Sequence, residues 1–337
     1  MNAILQVRGL EVRYRARSGK GQVHAVNGVD LEIAEGETLG LVGESGCGKS
    51  TLGRAILALT PASDGSVQFR GKEVLGKAVP QDYRRKAQMV FQDPFAALNP
   101  RMTVFETLAE VLQVHRIAPP TEIPECVIDL MAQAGLSPEL AHRKARTLSG
   151  GQCQRVGIAR ALAVGAELII ADEPVSALDV SIQAQILNLF SKLQRERKLA
   201  ILFISHDLGV VRYLCRRVAV MYLGRIIEQG ASEAVFAEPL HPYTQSLAAA
   251  IPKMAPDATV PGAPLGGEPP SPQNIPTGCP FHPRCPKAMD VCRVGTPPPA
   301  YEVEGRRVWC HLYAQGSQVH EVQKQNHGLL ERETSHA

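Results

Sequence analysis

The stretch that decides the fold is LVGESGCGKST, residues 41–51. The segment from Gly43 to Ser50 follows the pattern G-x-x-x-x-G-K-[ST] and lies between a predicted strand, TLGLVG, and a predicted helix, KSTLGRAILAL. Glycines let the backbone curve so that successive N–H groups point at one anion, and the N-terminus of the helix adds a partial positive charge. The stretch therefore predicts a strand–loop–helix unit that binds the phosphates of a nucleotide, with Lys49 on the β- and γ-phosphates.

Strand-like and helix-like segments alternate on both sides of this loop. The segments ILQVRGLEVRY and VNGVDLEI have the period of strands, and ELIIAD and LAILFIS are short apolar runs typical of buried strands. Helical spacing in VFETLAEVLQVH and CVIDLMAQAGL predicts a helical subdomain at about residues 95–165, and SIQAQILNLFSKLQRERK is a further helix. This alternation predicts an α/β fold with a mainly parallel sheet.

Composition narrows the class of protein. The 337 residues are 45% hydrophobic and 20% charged, which is typical of a globular protein, and the net charge of +3 is too small to indicate a nucleic-acid partner. No run of 18 apolar residues occurs, and the start of the chain lacks the pattern of a signal peptide. We therefore expect a cytoplasmic protein whose eight cysteines are free thiols or metal ligands rather than disulfides.

A second chemical feature is the apolar run LIIADE, residues 168–173, which ends in two acids. A carboxylate at the strand end, Asp172, is suited to hold Mg²⁺ together with the hydroxyl of Ser50. Glu173 is then placed to polarise a water in line with the γ-phosphate. A strand that simply runs into an acidic turn is the alternative, and the intact phosphate loop makes it the weaker one.

A third feature is LSGGQCQRVGIARAL, residues 148–162. Ser149, Gly150 and Gly151 precede a predicted helix and form a second potential anion site. One nucleotide does not need two such sites on one domain, so the pattern favours two facing domains, each covering the γ-phosphate held by the other. A simple helix N-cap is the alternative interpretation.

The order of these motifs resembles the ATP-binding subunits of ABC transporters over about residues 3–250. The resemblance implies a P-loop NTPase fold of the ABC type, with a mainly parallel core sheet, an antiparallel β-subdomain and a helical subdomain. It also implies that Gln92 contacts the metal and the attacking water, that Asp179 lies at the dimer seam, that His206 contacts the γ-phosphate and that Tyr14 stacks on adenine. Cys153 is a departure, because relatives often carry Arg, Lys or Gln there.

The site residues expected from the motifs and the resemblance form four groups. The catalytic groups are Glu173, His206 and Gln92. The Mg²⁺ ligands are Ser50, Gln92 and Asp172. The partner subunit's ATP is expected to contact Ser149, Gly150, Gly151 and Gln152. The chain's own ATP is expected to contact Tyr14, Gly43, Ser45, Gly46, Cys47, Gly48, Lys49, Ser50 and Thr51.

A finer resemblance lies in FQDPFAALNPRMTV, SALDVSIQAQILNL, HPYTQSLAAAIP and GCPFHPRCPKAMDVC. These segments are similar to those of oligopeptide, dipeptide and nickel importer ATPases. The resemblance implies a second ATPase subunit, expected to be a paralogue, together with two membrane permeases and an extracytoplasmic solute-binding protein. It also implies a peripheral location on the cytoplasmic side of the inner membrane. Peptides are the expected cargo, with a nickel chelate, glutathione or another small solute as alternatives. An ABC ATPase that acts on nucleic acid is a remote alternative.

The C-terminal third has a different composition. Of the 25 prolines, 14 lie between residues 252 and 299, and four of the eight cysteines crowd into residues 279–310. We predict an ATP-binding domain over 1–252, a proline-rich linker over 253–276, a small cysteine-bearing module over 277–313 and a polar tail over 314–337.

The cysteines of this module, Cys279, Cys285, Cys292 and Cys310, have the spacing C-x5-C-x6-C-x17-C. Structural zinc usually binds cysteine pairs with the closer spacing C-x2-4-C, whereas the wider spacing here suits a [4Fe–4S] cluster. The resemblance implies the same, because some members of the importer family carry such a cluster in this region. A cluster is therefore the leading expectation, with Zn²⁺ and four reduced structural thiols as alternatives. His282 and His311 are possible substitute ligands.

Overall fold

The computed structural model describes residues 3–16, 21–76, 79–249 and 267–314. Its strands are β1 (Ala3–Arg15), β2 (Gln22–Ala34), β3 (Thr38–Val42), β4 (Asp64–Phe69), β5 (Lys72–Glu73), β6 (Ala87–Val90), β7 (Leu168–Asp172), β8 (Ala200–Ser205), β9 (Arg217–Tyr222), β10 (Arg225–Ala231), β11 (Tyr301–Val303) and β12 (Arg306–Val308). Its α-helices are α1 (Lys49–Ile56), α2 (Gln81–Lys86), α3 (Val104–Val114), α4 (Ile123–Gln133), α5 (Gly150–Ala163), α6 (Val180–Arg197), α7 (Leu208–Leu214), α8 (Ser232–Ala237) and α9 (Pro242–Ala249).

The strands form two sheets. The larger has the order β11-β12-β10-β9-β3-β8-β7-β6, and the four pairings from β9 to β6 are all parallel. The smaller is antiparallel, with the order β2-β1-β4-β5. The predicted α/β class with a parallel core sheet and an antiparallel subdomain is therefore confirmed.

The central strands are buried along their whole length, as a parallel sheet covered on both faces requires. Successive side chains of a strand point to opposite faces. Ile169 and Phe203 accordingly belong to the core shared with α3, α4 and α5, whereas Ile170 and Ile204 belong to the core shared with α1 and the smaller sheet. The sheet thus separates two apolar cores and holds its strand ends at fixed positions.

The predicted helical subdomain is formed by α3, α4 and α5, between β6 and β7. Helix α3 begins at a capping box, in which the Thr103 hydroxyl accepts from the Glu106 N–H and the Glu106 carboxylate accepts from the Thr103 N–H. The helix predicted from Lys49 as far as residue 59 is too long. Helix α1 ends at Ile56 because Ala58 adopts a left-handed backbone with φ 53°.

The cysteine-bearing segment joins the main sheet rather than standing apart from it. Strand β12 pairs antiparallel with β10, and β11 pairs with β12, so the segment covers a sheet edge that would otherwise be open. Cys279, Phe281 and Cys292 also belong to the core on the side of the helical subdomain. The predicted boundaries between domains stay predictions.

Two predicted segments fall largely on residues that are not described. The predicted linker, 253–276, lies outside the described residues as far as 266, and the predicted tail, 314–337, lies outside them from 315 onward. None of the helices in the described ranges combines the length and the hydropathy that crossing a bilayer requires.

Candidate active site

The phosphate loop runs from the end of β3 to the start of α1, as predicted. Two of its glycines have backbones that side chains rarely adopt, with φ 156° at Gly43 and 108° at Gly48. A Cβ at Gly43 would lie 2.2 Å from the carbonyl oxygen of Met221, and one at Gly48 would lie 2.1 Å from that of Ala25. Helix α1 has no side-chain cap, so the N–H groups of its first turn are available to an anion.

Lys49 is 4% exposed and lies inside the arc of the loop. Its Nζ donates to the carbonyl oxygens of Gly43, at 2.8 Å, and of Glu44, at 2.9 Å. These bonds hold the ammonium at the centre of the loop, where the phosphates of a nucleotide would meet it. The predicted position of Lys49 in the loop agrees with this geometry.

Ser50 and Asp172 meet below the loop. The Ser50 hydroxyl donates to Asp172 Oδ1 at 2.8 Å, which joins the start of α1 to the end of β7. Burial raises the pKa of the Asp172 carboxyl, which is 3% exposed. A hydroxyl and a carboxylate are hard oxygen donors of the kind that Mg²⁺ prefers, so this pair fits the predicted metal ligands.

Glu173 is held between two neighbours at the next position. Its Oε2 lies 3.1 Å from Gln92 Nε2 and 3.2 Å from His206 Nδ1. The backbone of Glu173 is left-handed, with φ 46°, a strain of about 1–3 kcal/mol for a residue other than glycine. The Glu173 N–H donates to the Ile204 carbonyl at 3.0 Å, which stabilises this turn. Three of the groups predicted to be catalytic therefore form one hydrogen-bonded set.

These groups surround a cavity of about 580 Å³. Most predicted ATP contacts line it, including Tyr14, whereas Gly43 and Asp172 lie behind its wall. Sequence reasoning missed the other residues that line it: Val23, His24, Ala25, Leu223, Gly224 and Pro272. The Pro272 carbonyl accepts from the His24 N–H at 3.0 Å. Nothing in the local sequence indicates this contact, because the two residues lie far apart in the chain.

The serine–glycine nest, Ser149–Gln152, does not line this cavity. Ser149 is exposed and caps α5 through a capping box, accepting from the Gln152 N–H while the Gln152 side chain accepts from the Ser149 N–H. A Cβ at Gly151 would lie 2.4 Å from Ile182 of α6, so the nest packs closely on the first turn of that helix. Asp179, the residue that precedes α6, is exposed on the same side. The nest and the predicted seam residue are thus neighbours and both are open to solvent.

The four clustered cysteines are gathered in one region but are not arranged as ligands. Cys279, Cys285, Cys292 and Cys310 influence one another electrostatically, yet no three His, Cys, Asp or Glu side chains within the described ranges form a group that could hold a metal. Burial raises the pKa of the Cys279 thiol to about 11 and that of Cys310 to about 12. The predicted [4Fe–4S] cluster and its zinc alternative therefore find no support in this geometry.

Comparisons with known proteins agree with this site. The family model for ABC transporters matches residues 26–176, and the model for the C-terminal region of oligopeptide and dipeptide transporters matches residues 227–292. A probable peptide ABC transporter ATP-binding protein of Sinorhizobium fredii is 48% identical over 95% of this chain and 92% of its own length. The oligopeptide transport ATP-binding protein AppF of Bacillus subtilis is 46% identical over 92% of this chain and 98% of its own length.

Two solved structures also match more than two thirds of the chain. CbiO1 of Clostridium perfringens, part of the ABC transporter complex CbiONQ, superposes with a TM-score of 0.63 at 31% identity, over 71% of this chain and 92% of its own. The ATP-binding cassette MJ0796, in a dimeric post-hydrolysis state bound to ADP and Pi, superposes with a TM-score of 0.61 at 29% identity. That match covers 68% of this chain and 98% of the cassette.

Proposed function

The chain belongs to the ATP-binding subunits of ABC transporters, in the oligopeptide and dipeptide group, and from this premise we propose that it powers the import of peptides. As a member of that family the chain is an ATPase that uses MgATP. The observation that carries the proposal is the pair of separate anion sites. One is complete within a cavity of the chain, and the other is exposed and lies outside that cavity.

The predicted site residues have separate roles in the proposed hydrolysis. Lys49 and the N–H groups of the loop bind the β- and γ-phosphates, and Tyr14 stacks on the base. Ser50, Asp172 and Gln92 would hold Mg²⁺, which supplies charge neutralisation at the phosphates. Glu173 accepts a proton from the attacking water, while Gln92 and His206, each hydrogen-bonded to its carboxylate, orient that carboxylate.

The serine–glycine nest would serve the ATP of a second subunit. Ser149, Gly150, Gly151 and Gln152 present the exposed start of α5, and Asp179 lies beside them at the proposed seam. Two such subunits, identical or paralogous, close over two MgATP, and hydrolysis lets them open. Closure is an equilibrium that ATP biases because only the closed state contacts it from both sides.

Peptide cargo follows from the relatives, whose names describe peptide and oligopeptide transport. In the proposal the two ATPase subunits lie on the cytoplasmic side of the inner membrane, below two permeases, and a solute-binding protein delivers the peptide. The cargo is chosen by those partners rather than by this chain, so a nickel chelate, glutathione or another small solute is distinguished only by experiment.

The test is to purify the tagged full-length chain from its native membranes in mild detergent and to identify its stable partners. We expect two permeases, an ATPase subunit and a solute-binding protein whose bound ligand is a peptide by mass spectrometry. Reconstituted in vesicles, the complex should take up that peptide with MgATP and not when it carries Glu173→Gln. A bound nickel chelate or glutathione would overturn the peptide assignment, and a soluble chain bound to nucleic acid would overturn transport itself.

A further inference from the structure

Glu44, the second residue of the phosphate loop, is held at every polar group. Its N–H donates to the Tyr243 hydroxyl at 2.8 Å, and its carbonyl accepts from Lys49 Nζ at 2.9 Å and from the Cys47 N–H at 3.3 Å. Its carboxylate accepts two bonds from Arg284, at 2.8 and 3.0 Å. Two of these contacts come from the C-terminal part of the chain, about 200 residues or more along the sequence.

Arg284 is seated in a rigid, largely apolar site. Its side chain is 5% exposed, and its guanidinium carbon lies 6.0 Å from the centre of the Tyr222 ring. The nearby ring of Phe281 packs edge-on against Tyr222 and Tyr243, at centroid distances of 5.3 and 5.5 Å. All three rings are almost completely buried. The bond to Glu44 raises the pKa of the Arg284 guanidinium, which keeps its positive charge at any ordinary pH.

Arg284 neutralises the negative charge that Glu44 brings to the phosphate loop. A carboxylate in a loop that binds a polyanion repels that polyanion, and the repulsion is strong where water is partly excluded. A bidentate guanidinium neutralises the carboxylate and also fixes its direction, because the planar fork of arginine matches both oxygens. A lysine at this position would supply the charge without the fixed geometry.

We propose that Arg284, in the cysteine-bearing C-terminal segment, is a positioning residue for ATP binding. It holds the phosphate loop in place through Glu44 and neutralises the charge of the Glu44 carboxylate. The C-terminal segment is thereby part of the ATP site. Pro272, which precedes that segment, lines the nucleotide cavity, so the C-terminal part of the chain has a second contact with the site. The proposal rests on ATP binding by this chain and is independent of which solute is transported.

The test measures the equilibrium Kd for MgATP on the purified full-length chain, together with the melting temperature of each variant. Arg284→Gln leaves the Glu44 carboxylate without its neutralising partner, and we expect the Kd to rise about tenfold. The double variant Glu44→Gln/Arg284→Gln removes both charges and should return the Kd to within about threefold of the wild type. Arg293→Gln, an exposed arginine of the same segment, is the matched control and should change nothing.

The rescue separates positioning from a general role in folding. A residue that only stabilised the segment would weaken binding equally in the single and the double variant, so a raised Kd that Glu44→Gln does not correct overturns the proposal. Arg284→Lys keeps the positive charge but loses the planar, bidentate geometry of arginine. We expect its Kd for MgATP to lie between those of the wild type and Arg284→Gln, about threefold above the wild type. This variant also carries the test if Arg284→Gln does not fold. A wild-type Kd in the folded Arg284 variants overturns the proposal as well.

Discussion

The phosphate loop and the serine–glycine nest are both glycine-rich starts of helices, and they differ in what surrounds them. Helix α1 lacks a side-chain cap and opens into a cavity, whereas α5 is capped by its own Ser149 and Gln152 outside that cavity, with Ser149 exposed. The loop follows β3, at the edge where β7 and β8 also deliver Glu173 and His206. The carboxyl ends of parallel strands therefore assemble the cavity within one chain, whereas in the proposed function the nest, which begins a helix outside that edge, serves the ATP of a second subunit.

The largest expected effect is a loss of ATP hydrolysis at the nucleotide cavity without a loss of ATP binding. Glu173→Gln removes the proton acceptor but keeps an oxygen toward Gln92 and His206, and we expect turnover to fall about 10³-fold. The Kd for MgATP should stay within about threefold, because binding depends on the loop rather than on Glu173. Phosphate release and equilibrium binding measure the two quantities. Glu196→Gln, on the exposed part of α6, is the control.

Closed dimers should also accumulate in Glu173→Gln when MgATP is present, because hydrolysis no longer opens them. Size-exclusion chromatography with and without MgATP measures this shift. Turnover within a few-fold of the wild type would contradict the proposed role of Glu173 and would move the proton acceptor to another group of the cavity.

Sequence patterns predicted the residues of the nucleotide cavity better than the residues from distant segments that support the phosphate loop. Asp172 ends β7 and Glu173 follows it, while Lys49 begins the helix after the phosphate loop, so spacing along the chain was enough to bring them together. The contacts of Pro272 with His24 and of Arg284 with Glu44 join distant segments, and no local period indicates them. Such contacts depend on how β11 and β12 extend the sheet, which only the tertiary structure determines.

The cysteines illustrate the same limit in the opposite direction. Their spacing was interpreted as a ligand set, since four thiols in a short segment are typical of one. In the described structure Cys279 and Cys292 instead belong to the apolar core beside Phe281. Spacing along a chain predicts which residues are near one another, but the direction of each side chain depends on the packing around it.

The second prediction concerns His241 and Tyr243, which support the phosphate loop through hydrogen bonds. The contacts described show no such support for the serine–glycine nest. The His241 Nδ1 accepts from the Tyr243 N–H at 3.0 Å, and Tyr243 in turn accepts from the Glu44 N–H. Burial lowers the pKa of His241 to about 3. Because the unfolded state binds the proton near pH 6.5 and the folded state does not, stability falls as the pH drops below that value. The expected loss between pH 7 and pH 5 is about 2 kcal/mol.

Urea unfolding at pH 7 and pH 5 measures this loss. His241→Asn places an amide oxygen where Nδ1 accepts and has no proton to gain, so its loss should be smaller than that of the wild type by about 2 kcal/mol. His142→Asn changes an exposed histidine and should keep the full pH dependence. An identical acid sensitivity in His241→Asn and the wild type would show that other groups carry it.

The smallest expected effect isolates the exposed nest. Ser149→Ala removes one hydroxyl that would contact the partner subunit's ATP, and we expect hydrolysis by the assembled dimer to fall about tenfold. The Kd for MgATP of the separate chain should not change, because Ser149 does not line the cavity. The substitution also removes an N-cap, which costs about 1 kcal/mol of stability.

Helix α3 offers a matched control for the lost cap. Thr103 forms the same kind of capping box with Glu106, at the start of a different helix. Thr103→Ala should therefore lose a similar stability, about 1 kcal/mol, and keep its rate of hydrolysis. Equal losses of hydrolysis in the two variants would attribute the effect to helix stability and would contradict a contact across the dimer. A loss confined to Ser149→Ala, with unchanged binding by the separate chain, requires the second subunit because no group of the nest reaches the chain's own cavity.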